Sequence, residues 1–123
     1  MNTSEAFRNL TAELGASGPE SRPAYALAEL NDLLTAAEGD QIPLLDEPPI
    51  ADSYLANYVA AMVELAAHRR GVLPPSWTSA IAPLPEPRFA VPWMSLRPHL
   101  LLESPVPFRR RNIFINASLG DRV

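Results

Sequence analysis

The 123-residue sequence has no cysteine and no lysine, and its only two histidines are His68 and His99. Without cysteine the chain has no disulfide, no thiol nucleophile and no zinc site with thiolate ligands. Two histidines leave little for a metal site built on imidazole. No apolar run approaches the roughly 18 residues of a transmembrane helix, and the first ten residues lack the basic and apolar parts of a secretion signal. We therefore expect a cytoplasmic protein.

The proportions of hydrophobic and charged residues favour one folded domain. Hydrophobic residues make up 47% of the chain and charged residues 20%, which is ordinary for a globular domain of this length. Proline is unusually frequent: nine of the 14 prolines lie between Pro74 and Pro107. We predict a mainly α single domain over residues 1–123, a small helical bundle. Its parts are an N-terminal helix and linker (1–21), a helical core (22–73), and a proline-rich wrap with an arginine-rich C-terminal segment (74–123).

Charge is distributed unevenly along the chain. Residues 1–67 carry eleven acidic side chains and two arginines, a formal charge of −9. Residues 68–123 carry eight arginines and three acidic side chains, a formal charge of +5. Such an asymmetry is typical of a surface that meets a charged partner. An equally good interpretation is that the two halves pack together and neutralise each other.

Apolar residues that recur every three or four positions predict three amphipathic helices. The predicted helices cover residues 4–14, 22–37 and 51–70. Pro23 falls in the first turn of the second helix, where its missing N–H has no helical partner to lose. A glycine lies at or near the end of each helix as a stop signal: Gly15, Gly39 and Gly71.

Prolines predict irregular structure between and after these helices. Residues 40–50 contain three prolines, and we expect an extended segment whose Ile42, Leu44 and Leu45 point inward. Ser76 is expected to cap one short helix in the next proline-rich stretch.

Aromatic residues and a short β-branched run give the expected organisation of the C-terminal part. We expect three aromatic residues to pin the proline-rich stretch onto the helices: Trp77, Phe89 and Trp93. A further helix is predicted over 96–103, with Ser95 as its cap. Ser104 and Pro105 are expected to open a short turn, and residues 112–116 are a candidate strand that needs a pairing partner.

No catalytic pattern stands out. Glu64 and His68 lie four residues apart on one predicted helix face, but the second histidine of the H-E-x-x-H zinc motif is missing, so we interpret them as a satisfied surface pair. The sequence has no glycine-rich phosphate loop and no G-x-S-x-G nucleophile turn. We therefore expect no enzyme activity, no catalytic residue, no metal and no cofactor.

Three successive arginines, Arg109, Arg110 and Arg111, are the most distinctive feature of the sequence. Consecutive side chains cannot all share one face of a helix or strand. Some must point outward or to a partner while Phe108, Ile113 and Ile115 anchor the segment. Three interpretations remain open: the arginines pair with the acidic helices, bind phosphate groups of a nucleic acid, or dock onto an acidic protein.

Four short sequence segments in the second half of the chain resemble segments of a known protein family. They are P-S-W-T at 75–78, P-W-M at 92–94, L-R-P-H-L-L-L-E-S-P at 96–105 and F-R-R-R-N-I-F-I at 108–115. The region of about residues 50–120 resembles the C-terminal part of the partner proteins encoded beside AbiEii-like nucleotidyltransferase toxins in bacterial toxin–antitoxin operons. Met94 stands where that family usually has an aromatic residue. Many relatives also have an N-terminal DNA-binding helix-turn-helix, of which this chain shows no clear counterpart.

The resemblance implies an antitoxin-like protein that binds and neutralises a nucleotidyltransferase-type toxin by protein–protein contact. The residues expected to contact this partner are Phe108, Arg109, Arg110, Arg111, Trp93 and Phe89. The alternative is a small transcriptional regulator that uses Arg109–Arg111 on DNA or RNA. A net charge of −4 argues against general affinity for nucleic acid, and no membrane partner is expected.

Overall fold

The computed structural model describes residues 3–15, 23–86, 88–89 and 106–114. The fold is mainly helical and consistent with a small helical bundle, as predicted. Within the described residues no helix is long and apolar enough to cross a membrane. The elements in chain order are α1 (Thr3–Gly15), α2 (Pro23–Ala36), a 3-10 helix (Gly39–Leu44), α3 (Ser53–Arg69), α4 (Trp77–Ala80), β1 (Arg88–Phe89), α5 (Val106–Arg109) and β2 (Ile113–Phe114).

Helix α3 lies at the centre of the domain. It packs against α2, the 3-10 helix, α4 and α5, while α1 packs against α2. Five successive residues, 59–63, are buried, so α3 is covered on nearly every side. The largest apolar side chains of the core come from all parts of the chain: Phe7, Leu30, Ile42, Val59, Val63, Phe108 and Ile113.

Both ends of α3 follow from local sequence. Asp52 caps its start, because the carboxylate accepts a hydrogen bond of 2.9 Å from the Leu55 N–H. At the other end Gly71 adopts a left-handed backbone with φ of 66°. Its N–H donates to the His68 carbonyl, and the Val72 N–H donates to the Ala67 carbonyl. This pair of bonds is a Schellman motif, which confirms Gly71 as the stop signal.

Arg70 connects the C-terminal ends of α2 and α3. Its guanidinium donates to the carbonyl oxygens of Ala37, at 2.8 Å, and Thr35, and to the Ala66 carbonyl at 3.4 Å. The last carbonyls of a helix have no partner within the helix. Arg70, at the end of α3, therefore provides donors for the carbonyl groups at the end of α2 and holds the two helices together.

The segment after α2 differs from the prediction. We expected residues 40–50 to be extended with Leu44 inward, but residues 39–44 form a 3-10 helix and Leu44 is 63% exposed. A 3-10 helix has three residues per turn, so side chains three positions apart share a face. Ile42 and Leu45 are accordingly both buried, and Leu44 lies on the outer face between them.

Trp77 fixes α4 to the other elements. Its indole Nε1 donates a hydrogen bond of 2.8 Å to the Leu45 carbonyl oxygen, and its ring lies 6.3 Å from that of Phe7. The side chain is half-buried. The prediction that Ser76 caps α4 is wrong, because Ser76 has a helical backbone and makes no side-chain capping bond.

Replacing Trp77 with phenylalanine tests this hydrogen bond. We expect the free energy of unfolding to fall by about 0.5–1.5 kcal/mol, the usual net value of one hydrogen bond, because the ring contact with Phe7 is largely kept. Chemical denaturation measures the change. A control variant, Trp77→Ala, removes both contacts and should lose more. A free energy of unfolding that is unchanged in Trp77→Phe but clearly lowered in Trp77→Ala would contradict an individual role of the indole N–H.

The predicted C-terminal strand exists over Ile113–Phe114 and has a partner. β2 pairs in parallel with β1, with Arg88 opposite Ile113 and Phe89 opposite Phe114. The Leu84 N–H also donates to the Arg111 carbonyl, which extends this association toward α4. The predicted helix 96–103 and Trp93 lie outside the described residues.

Candidate partner-binding surface

Helix α5 is a single turn with two different sides. The Arg110 N–H donates to the Val106 carbonyl at 3.0 Å, and the Arg111 N–H donates to the Phe108 carbonyl at 3.0 Å. The turn presents Val106, Arg109 and Arg110 to solvent, whereas Pro107, Phe108 and Arg111 are buried. The exposed positions have the spacing i, i+3 and i+4, which places them on one helical face. Residues 106–110 form the candidate partner-binding turn.

Phe108 holds the inner side of the turn by apolar packing. It is fully buried, and its ring meets that of Tyr58 edge-on at a centroid distance of 5.1 Å. Tyr58 in turn packs edge-on against Tyr54 at 5.8 Å. Burial, with a smaller contribution from Tyr54, raises the pKa of Tyr58 to about 12. Burial thus moves the ionisation of this phenol still further above physiological pH than in a free tyrosine.

Arg111 holds the same side by directed hydrogen bonds. Its side chain is nearly buried and pairs with Glu64 of α3 through Nε and Oε1 at 3.1 Å. Nη1 donates to Asn57 Oδ1 at 2.8 Å and to the Ile81 carbonyl at 3.2 Å. Nη2 donates to the Thr78 carbonyl at 2.5 Å. The guanidinium therefore joins α5 both to α3 and to the segment that contains α4.

Asn57 is oriented so that it can accept from Arg111. Its Nδ2 donates to the Ser53 carbonyl at 2.9 Å and to the Ala82 carbonyl at 3.0 Å. These two bonds assign the amide nitrogen and leave Oδ1 facing the arginine. A buried amide on an apolar helix is thus fully used, which is the usual condition for burying a polar group.

Asn112 turns the chain from α5 into β2. It has a left-handed backbone with φ of 63°, a conformation that asparagine tolerates better than most residues. Its Nδ2 donates to the Leu84 carbonyl at 2.6 Å. The reversal at Asn112 therefore also joins the C-terminal segment to the chain that leads into β1.

The three arginines do not share one face, as their consecutive positions predict. Arg109 and Arg110 are exposed, and neither guanidinium forms an ion pair with a described residue. Arg111 pairs with an acidic helix, so of the three only Arg111 follows the interpretation of internal neutralisation. Of the residues predicted to contact a partner, Phe108 and Arg111 are buried and support the surface from inside. Trp93 and the side chain of Phe89 lie outside the described part of the chain.

Two further features of this region differ from, or add to, the sequence prediction. The expected surface pair of Glu64 with His68 is wrong: the Glu64 side chain is only 12% exposed and binds Arg111, while His68 is exposed. Val106 is 52% exposed, and the sequence pattern did not single it out as a residue of this surface. Its spacing of three and four residues from Arg109 and Arg110 was the available signal.

This surface offers two guanidinium groups and one apolar side chain, on a turn whose inner side contacts α3 through Phe108 and Arg111. Guanidinium groups bind carboxylates or phosphates through paired hydrogen bonds. Among the described residues, no group of three or more histidine, aspartate or glutamate side chains is placed to hold a metal ion. Comparison of the chain with models of protein families, with curated proteins and with solved structures finds no match.

Proposed function

We propose that this chain is an antitoxin-like protein that binds and neutralises a nucleotidyltransferase-type toxin by protein–protein contact. The supporting observation is the outward direction of Arg109 and Arg110 on a turn whose inner side is fixed by Phe108 and Arg111. The resemblance of the strings between residues 75 and 115 to partner proteins of AbiEii-like toxins gives the kind of partner.

The proposed mechanism is occlusion of the toxin's active site. Nucleotidyltransferases use carboxylates to hold Mg²⁺ ions, so the mouth of their active site is anionic. Arg109 and Arg110 would form charge-assisted pairs there, and Val106 would contribute an apolar contact between the two charges. Binding of this kind excludes the nucleotide and needs no chemistry from the chain itself.

An arginine at an interface and an arginine with only a structural role differ in what their loss costs. An exposed arginine contributes about 0–1 kcal/mol to folding even when it has a partner. At a desolvated interface, the loss of one partner of a charge pair costs about 2–5 kcal/mol of binding free energy. Arg109 and Arg110 are therefore expected to affect binding much more than folding.

Alanine substitution of Arg109 and Arg110, singly and together, tests the proposal. We expect melting temperatures close to that of the unchanged protein, and an affinity for the nucleotidyltransferase encoded beside this chain that falls about tenfold or more for at least one single variant. Isothermal titration calorimetry measures the affinity. Arg8→Ala is the matched control, because Arg8 is an exposed arginine whose partner, Asp46, belongs to the acidic half of the same chain.

Two results would contradict the proposal: unchanged affinity in the double variant, or the absence of a nucleotidyltransferase gene beside the gene for this chain. Two adjacent exposed guanidinium groups also suit phosphate, so the same variants should be tested on labelled operator DNA. A shift of that DNA that weakens steeply with salt, and that the double variant abolishes, would instead favour a nucleic-acid regulator.

A further inference from the structure

We infer that Arg111 is the positioning residue of the partner-binding turn: its buried hydrogen bonds fix the direction in which Val106, Arg109 and Arg110 face the partner. This inference rests on the proposed function, because it explains how the surface used there acquires its shape. Arg111 itself is only 5% exposed and does not contact the partner.

The partner-binding turn cannot hold its shape by itself. An isolated helix needs about 12–15 residues to be even marginally stable in water, and α5 has four residues, Val106–Arg109. Its conformation is therefore imposed by contacts with the rest of the domain. On its inner side, Phe108 packs against Tyr58 of α3 and Arg111 pairs with Glu64 of α3.

These two contacts differ in what they determine. Apolar packing is non-directional, so Phe108 holds the turn against α3 but leaves its rotation weakly defined. The guanidinium of Arg111 is a planar group whose donors have fixed directions. Its acceptors lie on two separate parts of the fold, with Asn57 and Glu64 on α3 and the carbonyls of Thr78 and Ile81 at α4. The guanidinium can donate to the acceptors on α3 and to those at α4 at the same time in only one orientation of the turn.

A turn that is already oriented in the free protein binds more tightly, because a mobile turn would have to be ordered at the expense of binding free energy. Ordering a mobile segment at an interface reduces affinity, and preorganisation removes that cost. Arg109 and Arg110 immediately precede Arg111 in the chain. When the planar group of Arg111 is lost, these neighbours keep their charges but no longer share one direction with Val106.

The decisive variant is Arg111→Lys, with Arg70→Lys as the matched control. Lysine keeps the charge and the pairing with Glu64 but cannot reproduce the planar set of donors. Arg70 is likewise a partly buried arginine that donates to several carbonyls, and it holds α2 and α3 instead of the turn. Both variants are expected to melt at lower temperature. Affinity for the co-encoded nucleotidyltransferase is measured at a temperature at which both are fully folded.

We expect Arg111→Lys to weaken binding about tenfold or more, and Arg70→Lys to leave it within about twofold. In the free protein, amide hydrogen exchange should accelerate over residues 106–114 in Arg111→Lys and not in Arg70→Lys. A double-mutant cycle with Arg110→Ala should be non-additive, because Arg111 acts through Arg110. If Arg111→Lys does not fold, Glu64→Gln replaces it, with smaller changes in the same directions.

The outcomes separate this inference from the proposed function. Normal binding by Arg111→Lys, together with weakened binding by the Arg109 and Arg110 variants, overturns the positioning role and leaves the surface intact. Equal losses of affinity in Arg111→Lys and Arg70→Lys also overturn it, because they show a general effect of stability. If the Arg109, Arg110 and Arg111 variants all bind normally, both the surface and the positioning role are wrong.

Discussion

Replacing Arg111 with alanine is expected to lower the free energy of unfolding by about 3–5 kcal/mol, the usual cost of removing one partner of a buried ion pair. The substitution leaves the Glu64 carboxylate nearly buried without its cation. It also removes the donors to Asn57 Oδ1 and to two carbonyls, at Thr78 and Ile81. Each buried acceptor without a donor adds its own desolvation penalty. Urea denaturation followed by circular dichroism measures the loss.

Arg110→Ala is the matched control for this effect. It removes an arginine from the adjacent position, but the Arg110 side chain is exposed, so the free energy of unfolding should stay within about 0.5 kcal/mol. A loss below about 1 kcal/mol in Arg111→Ala would show that the buried network contributes little. A large loss in Arg110→Ala would show that the outward direction assigned to that side chain is wrong.

Replacing Phe108 with alanine should cost a similar amount, about 3–5 kcal/mol, through a different cause. The ring is fully buried and packs edge-on against Tyr58. Alanine removes its transfer free energy and leaves a cavity between α5 and α3 that the fixed backbone cannot fully close. Thermal and chemical denaturation both report the loss.

Phe108→Leu is the control that separates volume from aromatic contact. Leucine restores most of the apolar volume and should cost less than about 1.5 kcal/mol. The remaining difference measures the edge-on contact with Tyr58, which is worth about 0.5–1.5 kcal/mol in comparable pairs. If Phe108→Ala unfolded at nearly the same denaturant concentration as the unchanged protein, the ring would be an exposed contact for a partner, as the sequence suggested.

The helices were predictable because their signals are local. The predicted helix over 51–70 is found at Ser53–Arg69, where a capping aspartate and a stopping glycine bracket the apolar positions. The first two helices likewise match within two residues, at Thr3–Gly15 and Pro23–Ala36. Leu44 was placed wrongly because the pattern of apolar residues does not distinguish an extended segment from a 3-10 helix.

The role of Arg111 could not be predicted, because its partners are far away in sequence. Glu64 and Asn57 precede it by 47 and 54 residues. The sequence does contain a partial signal, since a polar Asn57 on an otherwise apolar helix needs a buried partner. Which of three consecutive arginines supplies that partner depends on the rotation of α5, which only the tertiary contacts determine.

The same long separations in sequence are expected to delay the folding of residues 106–111 during synthesis. Glu64 and Asn57 leave the ribosome long before Arg111, and the pairing closes loops of 47 and 54 residues. Closing such loops costs chain entropy that the short-range contacts within each helix do not incur. We therefore expect α1, α2 and α3 to pack together first, while the side chains of Glu64 and Asn57 still contact water. We therefore expect residues 106–111 to be among the last described parts of the chain to take their final shape, after the three long helices have formed.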